Sequence, residues 1–281
     1  MASALALHEV VVPAPGIPCV LSCVTDPHFR ACLSDATRGR GSLRFVQTFG
    51  ELITALRTST IYTNAVVVPP RDSTGREATS AVREIAAQFP RIAVIAYCRS
   101  GVENSADIRG LAIAGVHEFL FAGEDSRLSI RAALDGAERE CASELVMSVL
   151  ARVLPPKVHP MAEACLARPG SVTNVEQLAS ATGLHRKTLY NHCVTAGAPP
   201  PAELLTWCRL GLVAHMLSQS GRTVESLANE YEFASPTALR NVLKRYSGLR
   251  ASDIRGSGGV ECIVRALEDK LAKIRPQLHV M

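Results

Sequence analysis

The chain has 281 residues, 47% of them hydrophobic and 20% charged, with a net charge of +4. That length suggests about two domains, and the apolar share is ample for their cores. No run approaches the roughly 20 apolar residues that span a bilayer, and the N-terminus MASALALHEVVV lacks a basic segment before its short apolar run. A membrane protein and a secreted one are therefore both unexpected, and the reading is cytoplasmic.

Charge is unevenly spread. Residues 1–140 hold 14 Arg and no Lys against 15 acidic residues, a net of −1, whereas residues 170–256 hold 9 basic and 6 acidic residues, a net of +3. The nine cysteines (19, 23, 32, 98, 141, 165, 193, 208 and 262) contain no Cys-x-x-Cys pair. Cys19 and Cys23 lie four apart, but no nearby His or Cys completes a zinc set. The thiols read as small buried hydrophobes, with a redox pair of Cys23 and Cys32 as the alternative. No metal or cofactor is expected.

In chain order, residues 1–16 read as a flexible N-terminus. Strand and helix signals then alternate across residues 17–125. Apolar runs at 18–24, 43–47, 65–68, 91–97 and 115–121 suit buried strands, and helices are expected at 26–36, 49–57, 77–89, 103–114 and 126–150. Apolar strands separated by helices imply an α/β fold with a five-stranded doubly wound parallel sheet. Five such units in about 120 residues resemble the receiver domain of two-component response regulators.

The resemblance is to the fold. A working receiver phosphorylates an Asp at the end of its third strand beside Mg²⁺, which is held by an acidic pair after the first. Here Pro69 stands at the acceptor's place and Asp26 supplies one acid of the two. Ala96 replaces the Thr or Ser after the fourth strand, and 121–123 offers no Lys. Phosphoryl transfer is therefore not expected, and Asp72 reads as a loop residue rather than a displaced acceptor. Arg38-Gly39-Arg40-Gly41 precedes a strand, so it does not match the dinucleotide fingerprint, which opens a helix. Ligands of open α/β sheets settle outside the carboxyl ends of the strands, so residues 25–26, 69–72, 97–100 and 122–124 are the candidate lining for a small-molecule effector. Arg71 and Arg99 there suit an anion. Receivers often dimerise through the face of their fourth and fifth strands and helices, to which Leu111, Ala112, Ile113 and Val116 belong here. His28 and His117 are isolated and read as structural.

Residues 126–168 read as a helical connector whose long helix stops ahead of Pro155-Pro156. Next comes a repeat. Val175-Glu176-Gln177-Leu178-Ala179 recurs 49 residues later as Val224-Glu225-Ser226-Leu227-Ala228, and each copy is followed by a turn and a second amphipathic segment. Helix, tight turn and second helix is the sequence form of a helix-turn-helix, whose second helix enters a major groove. Between the copies, Pro201 opens a helix reaching Ser218, with Leu204, Cys208, Leu212 and Met216 in one stripe and Trp207 as core.

Residues 223–255, TVESLANEYEFASPTALRNVLKRYSGLRASDIR, resemble the signature of AraC/XylS-family transcription regulators. Leu227-Ala228, Phe233, Leu239, Leu243, Lys244, Gly248 and Arg255 fall on its positions. Glu232 replaces the usual turn Gly, and Arg250-Ala251 the usual Thr-Pro. The resemblance covers about residues 170–256 and implies a DNA-binding domain at 169–256. In it the linking helix sets two reading helices about one duplex turn apart, roughly 34 Å. Helix geometry makes Leu184, Leu189, Cys193, Ala238, Leu239, Val242 and Leu243 core. Arg186, Lys187, Tyr190 and Asn191, then Ser235, Thr237, Arg240, Asn241 and Lys244, are left to face DNA. Arg bonds guanine bidentately, Asn bonds adenine, and Lys favours phosphate.

Residues 257–281 read as a break at Gly256-Ser257-Gly258-Gly259 followed by an amphipathic helix at 260–274 that packs on the body. Function is read as sequence-specific transcription regulation. The partners are promoter DNA, a second copy of the chain, a small-molecule effector and RNA polymerase. The rival is an enzyme in the α/β half that the helical half recruits to DNA; no catalytic residues stand out for it.

Overall fold

The computed structural model describes residues 19–39, 41–58, 63–99, 105–124, 126–167, 172–218, 222–256 and 258–274. The expected N-terminal tail lies outside the described residues, as does Ser100 of the expected cleft lining.

Strands β1 (Cys19–Ser22), β2 (Ser42–Phe45), β3 (Thr63–Val68), β4 (Ala93–Cys98) and β5 (Glu118–Phe121) form one sheet in the order β2-β1-β3-β4-β5. Every pairing is parallel. This is the 2-1-3-4-5 order of doubly wound receiver-like folds. Helices α1 (Pro27–Thr37), α2 (Phe49–Thr58), α3 (Ala78–Gln88), α4 (Ser105–Ala114) and α5 (Arg127–Leu150) alternate with the strands. The central strands are apolar without a break because both faces are covered. Val66, Val68, Val94 and Ala96 join one core with α2, α3 and α4, while Ala65, Val67, Ala93, Ile95 and Tyr97 join the other with α1 and α5.

The expected fifth strand is shorter than its apolar run, for a local reason. His117 sits just before β5 and exchanges two hydrogen bonds with Val94: its N–H donates to the Val94 carbonyl, and its Nδ1 accepts from the Val94 N–H. Burial holds the imidazole below its ordinary pKa despite Glu144 3.7 Å away. Of the expected dimer face, Leu111 is core and Val116 packs against it, while Ile113 is 73% exposed.

Helix α5 belongs to two cores. Ile130, Ala133, Leu134, Ala137 and Cys141 pack under the sheet, and from the next residue on Ala142, Val146, Val149 and Leu150 enter the core of the helical region. Among the described residues, a short 3-10 turn (Pro156–Val158) and eight α-helices follow: α6 (His159–Ala167), α7 (Val175–Thr182), α8 (Arg186–Ala196), α9 (Pro201–Ser218), α10 (Val224–Glu230), α11 (Pro236–Ser247), α12 (Ala251–Gly256) and α13 (Val260–Ile274). Helix α9 is the axle. Beyond the expected stripe, Leu205, Leu210, Val213 and Ala214 are also buried, so it is apolar all round, as a helix packed on every side must be. Trp207 is core, edge-on to Tyr246 at 5.0 Å.

The fold class is thus α/β plus all-α. One local feature goes beyond the expected break: the glycine just ahead of α13 is packed. Gly259 is buried with φ 63°, and a Cβ on it would lie 2.6 Å from the Ser218 hydroxyl and 3.1 Å from the Ala214 carbonyl. Glycine is required there so that α13 can turn back onto α9. Among the described residues no helix is long and apolar enough to cross a membrane.

Candidate nucleic-acid interface

The two repeats fold alike, bond for bond. Each first helix is capped by the residue before the Val-Glu phrase. The Asn174 side chain accepts from the Gln177 N–H at 2.9 Å, and the Thr223 hydroxyl accepts from the Ser226 N–H at 3.1 Å. Each helix then ends on a left-handed residue. Gly183 has φ 66° and Glu232, 49 residues later, has φ 53°. The next N–H closes back on the helix in both, Leu184 to the Ala179 carbonyl at 3.1 Å and Phe233 to that of Ala228 at 2.8 Å. Glu232 therefore adopts the conformation the missing glycine would have taken. Arg209 of α9 fixes that turn: its Nε donates to the Tyr231 carbonyl at 3.1 Å, and its guanidinium lies 4.2 Å from the Phe233 ring centre.

The second helices start on side-chain caps, His185 Nδ1 for α8 and the Ser235 hydroxyl for α11, and end on Gly197 and Gly248, both with positive φ. Leu189 and Cys193 in α8, and Leu239 and Leu243 in α11, are buried; Leu184 and Val242 pack against the same core, and Ala238 is half-buried. Arg186, Lys187, Tyr190 and Asn191 are exposed together on α8, as are Thr237, Arg240, Asn241 and Lys244 on α11. Ser235 is half-buried, with its hydroxyl accepting from the Ala238 N–H at 3.0 Å. Helix α9 between the units has 18 residues, a length of about 27 Å.

Three exposed residues on or beside these faces were given no role by sequence reading. Val194 of α8 is 61% exposed, and its spacing from Lys187, Tyr190 and Asn191, at i+7, i+4 and i+3, would have placed it on their face. Glu176 and Glu225 are the others. Glu176 pairs with Arg186 at 2.6 Å, and Glu225 pairs with Arg240 at 2.5 Å. The Glu225 carboxyl is held below its ordinary pKa by its own backbone N–H and then by Arg240. The repeated Val-Glu was visible in the sequence, but the partner of each glutamate was not.

The family model described as a helix-turn-helix domain matches residues 178–257. The chain carries an AraC-type helix-turn-helix domain. No curated protein matches the chain. Among solved structures, full-length FixJ from B. japonicum is similar at 17% identity over 68% of this chain and 96% of its own, with a TM-score of 0.38. RcsB from Salmonella enterica serovar Typhimurium bound to promoter rprA is similar at 11% identity over 68% and 98%, with a TM-score of 0.35. The signal receiver domain of NarL from Mycobacterium tuberculosis is similar at 16% identity over 44% and 98%, with a TM-score of 0.34.

Upstream of the helix-turn-helix domain, the carboxyl ends of the strands line a cleft of about 390 Å³ that includes Thr25, Asp26, Pro69, Arg71, Tyr97 and Arg99. Pro69 directly follows β3. Asp26 uses its carboxylate as the α1 cap, accepting from the Phe29 N–H at 2.9 Å. Ala96 lies inside β4 and is buried, and Tyr97 lines the cleft, stacked 3.9 Å from Phe29. Asp72 lies in the loop between β3 and α3, as expected, and is buried there. Its carboxylate accepts from the N–H groups of Phe49, Thr74 and Arg76 and from the Thr74 hydroxyl, and although burial pushes its pKa up, these bonds together hold it below the ordinary value. Arg71 pairs with Glu77 at 2.7 Å. Cysteine chemistry is muted: eight of the nine thiols are buried, and burial pushes Cys23 and Cys141 up to about 12.

Proposed function

We propose that the chain is a transcription regulator that reads double-stranded promoter DNA sequence-specifically through α8 and α11. One observation carries this reading: two units, offset by 49 residues in the first helix and 50 in the second, each bury one face of the second helix and expose the other. The exposed side chains suit the task. Arg240 and Arg186 match guanine, Asn241 and Asn191 match adenine, and Lys187 and Lys244 match phosphate, with Tyr190 and Thr237 beside them. Ser235 serves the groove through the helix start that it caps.

We divide the molecule into a receiver-like unit at 17–125, a connector at 126–168, the DNA-binding unit at 169–256 and the C-terminal helix at 257–281. The receiver-like unit dimerises the protein or senses a signal other than phosphorylation, and a small anionic effector fits the cleft beside Arg71 and Arg99. Promoter binding brings RNA polymerase as the onward partner. A buried, four-fold bonded Asp72 and a proline at the acceptor position support a phosphorylation-independent signal.

Wild-type protein selecting from a random duplex pool is expected to enrich a long asymmetric sequence. Arg240→Ala with Asn241→Ala should weaken binding to that duplex by about 30-fold or more while sparing weak, salt-sensitive binding to any duplex. Failure of the wild type to enrich any sequence would reject the reading.

A further inference from the structure

Glu176 and Glu225 occupy the same place in the two repeats, 49 residues apart, as the second residue of α7 and of α10. Each carboxylate accepts from the guanidinium of an arginine on the following helix, through Arg186 Nη1 in the first unit and Arg240 Nη2 in the second. The arginines themselves are not equivalent. Arg186 is the first residue of α8, whereas Arg240 is the fifth of α11, and Tyr190 stands where Arg240 would be in the first unit. The same acidic position has thus captured an arginine twice, from different starting points. Folding energy does not account for it, since exposed ion pairs contribute about 0–1 kcal/mol. Orientation does. A free arginine side chain carries about 2 kcal/mol of rotamer entropy, and one carboxylate contact restrains its head group while using one of five donors. The two parallel N–H groups needed for guanine remain available.

We propose that Glu225 and Glu176 are positioning residues for base reading, each holding the guanidinium of Arg240 or Arg186 at the angle that meets a guanine edge. The same carboxylate repels backbone phosphate, so it penalises any duplex on which the arginine finds no base partner. Each glutamate lowers binding to DNA in general and raises the preference for the right sequence. This inference rests on the DNA-reading function proposed above.

The test uses the full chain and the duplex that wild-type protein selects from a random pool, paired with a copy in which the G·C pair lost from Arg240→Ala selections is changed to A·T. Affinity for both is measured across a salt series for wild type, Glu225→Gln and Glu225→Ala. We expect the Ala variant to lower the ratio of the two affinities by about fivefold or more, to bind the altered duplex more tightly, and to steepen the salt dependence by about one phosphate contact. The Gln variant, which keeps the acceptor without the charge, should fall between. Glu176→Ala should do the same at the base pair that Arg186→Ala relaxes. An unchanged ratio, or equal weakening on both duplexes, would overturn the positioning role while leaving DNA reading intact. Absence of any wild-type sequence preference would overturn both.

Discussion

Glu232 is where a residue departs from the form of its own repeat and the backbone does not follow. Left-handed φ costs an L-residue about 1–2 kcal/mol, yet the turn closes with the same bond that Gly183 permits in the first unit. The surroundings hold it there: the Tyr231 carbonyl and the Phe233 ring are both engaged by Arg209, whose charge is in turn drawn to Glu232. Glu232→Gly is therefore expected to leave stability within about 1 kcal/mol of wild type, because relief of backbone strain offsets the lost attraction to Arg209. Glu232→Ile should lose about 1–2 kcal/mol, since a β-branched side chain is poorly tolerated at positive φ. Urea unfolding of the three proteins decides it, and equal stability of the Ile variant would show that the turn is not strained. At this scale sequence reading located Glu232 in the glycine's place but not Arg209, which lies 23 residues upstream on another helix.

Elements were the most legible level. The strand and helix positions follow from apolar runs and periodicity because a doubly wound sheet and an amphipathic bundle each impose a period on the chain. The ends shifted where a side chain competed with the ladder, as His117 does ahead of β5. The close packing of Gly259 was not legible because Gly marks both loose loops and close approaches, and only packing distinguishes them. Gly211, in the middle of α9, is the same ambiguity inside a helix. A Cβ there would lie 2.7 Å from Val146 Cγ1 of α5, so the two helices meet at a contact that has no room for a methyl group. Gly211→Ala trades better helix propensity, about 1 kcal/mol, against this clash with a fully buried valine. Overpacking of that kind costs about 1–3 kcal/mol, so a net loss is expected. Val146→Ala alone should also destabilise by opening a cavity. Combined, the two should recover part of the loss, because the new methyl fills the space the valine vacates. Additive losses in the double variant, read by thermal unfolding, would show that α5 and α9 do not approach as closely as their contact implies.

The whole molecule is joined by one arginine that no local pattern reveals. Arg222, just ahead of α10, places its guanidinium 3.1 Å from Glu138 and 3.9 Å from Asp135 on α5, and 3.1 Å from Glu230 at the end of α10. Glu138 in turn accepts from the Asn64 amide of β3 at 2.5 Å, and Arg255 of α12 donates to the Arg222 carbonyl at 2.5 Å. Sheet, long helix and second reading unit thus converge on a half-buried charge cluster whose members come from as far apart in sequence as Asn64 and Arg255. Three carboxylates around one cation raise the Arg222 pKa above its ordinary value even though burial opposes this. Arg222→Met keeps most of the side-chain stem and leaves the three acids facing one another, which should cost about 1–3 kcal/mol at pH 7. The sign with pH follows from the acids. Without the cation their mutual repulsion favours the protonated forms, so their folded-state pKa values rise, and the deficit must shrink as pH falls toward the carboxylate range. Denaturation of wild type and variant at pH 7 and pH 4.5 tests this, and Glu138→Gln added to Arg222→Met should recover part of the loss at pH 7. A deficit of the same size at both pH values would mean that Arg222 holds the units together by packing alone. The same variant reads out coupling: if α10 is set by the sheet through this cluster, relaxing it should change the affinity of α11 for its duplex but leave the base preferences of α8 unaltered.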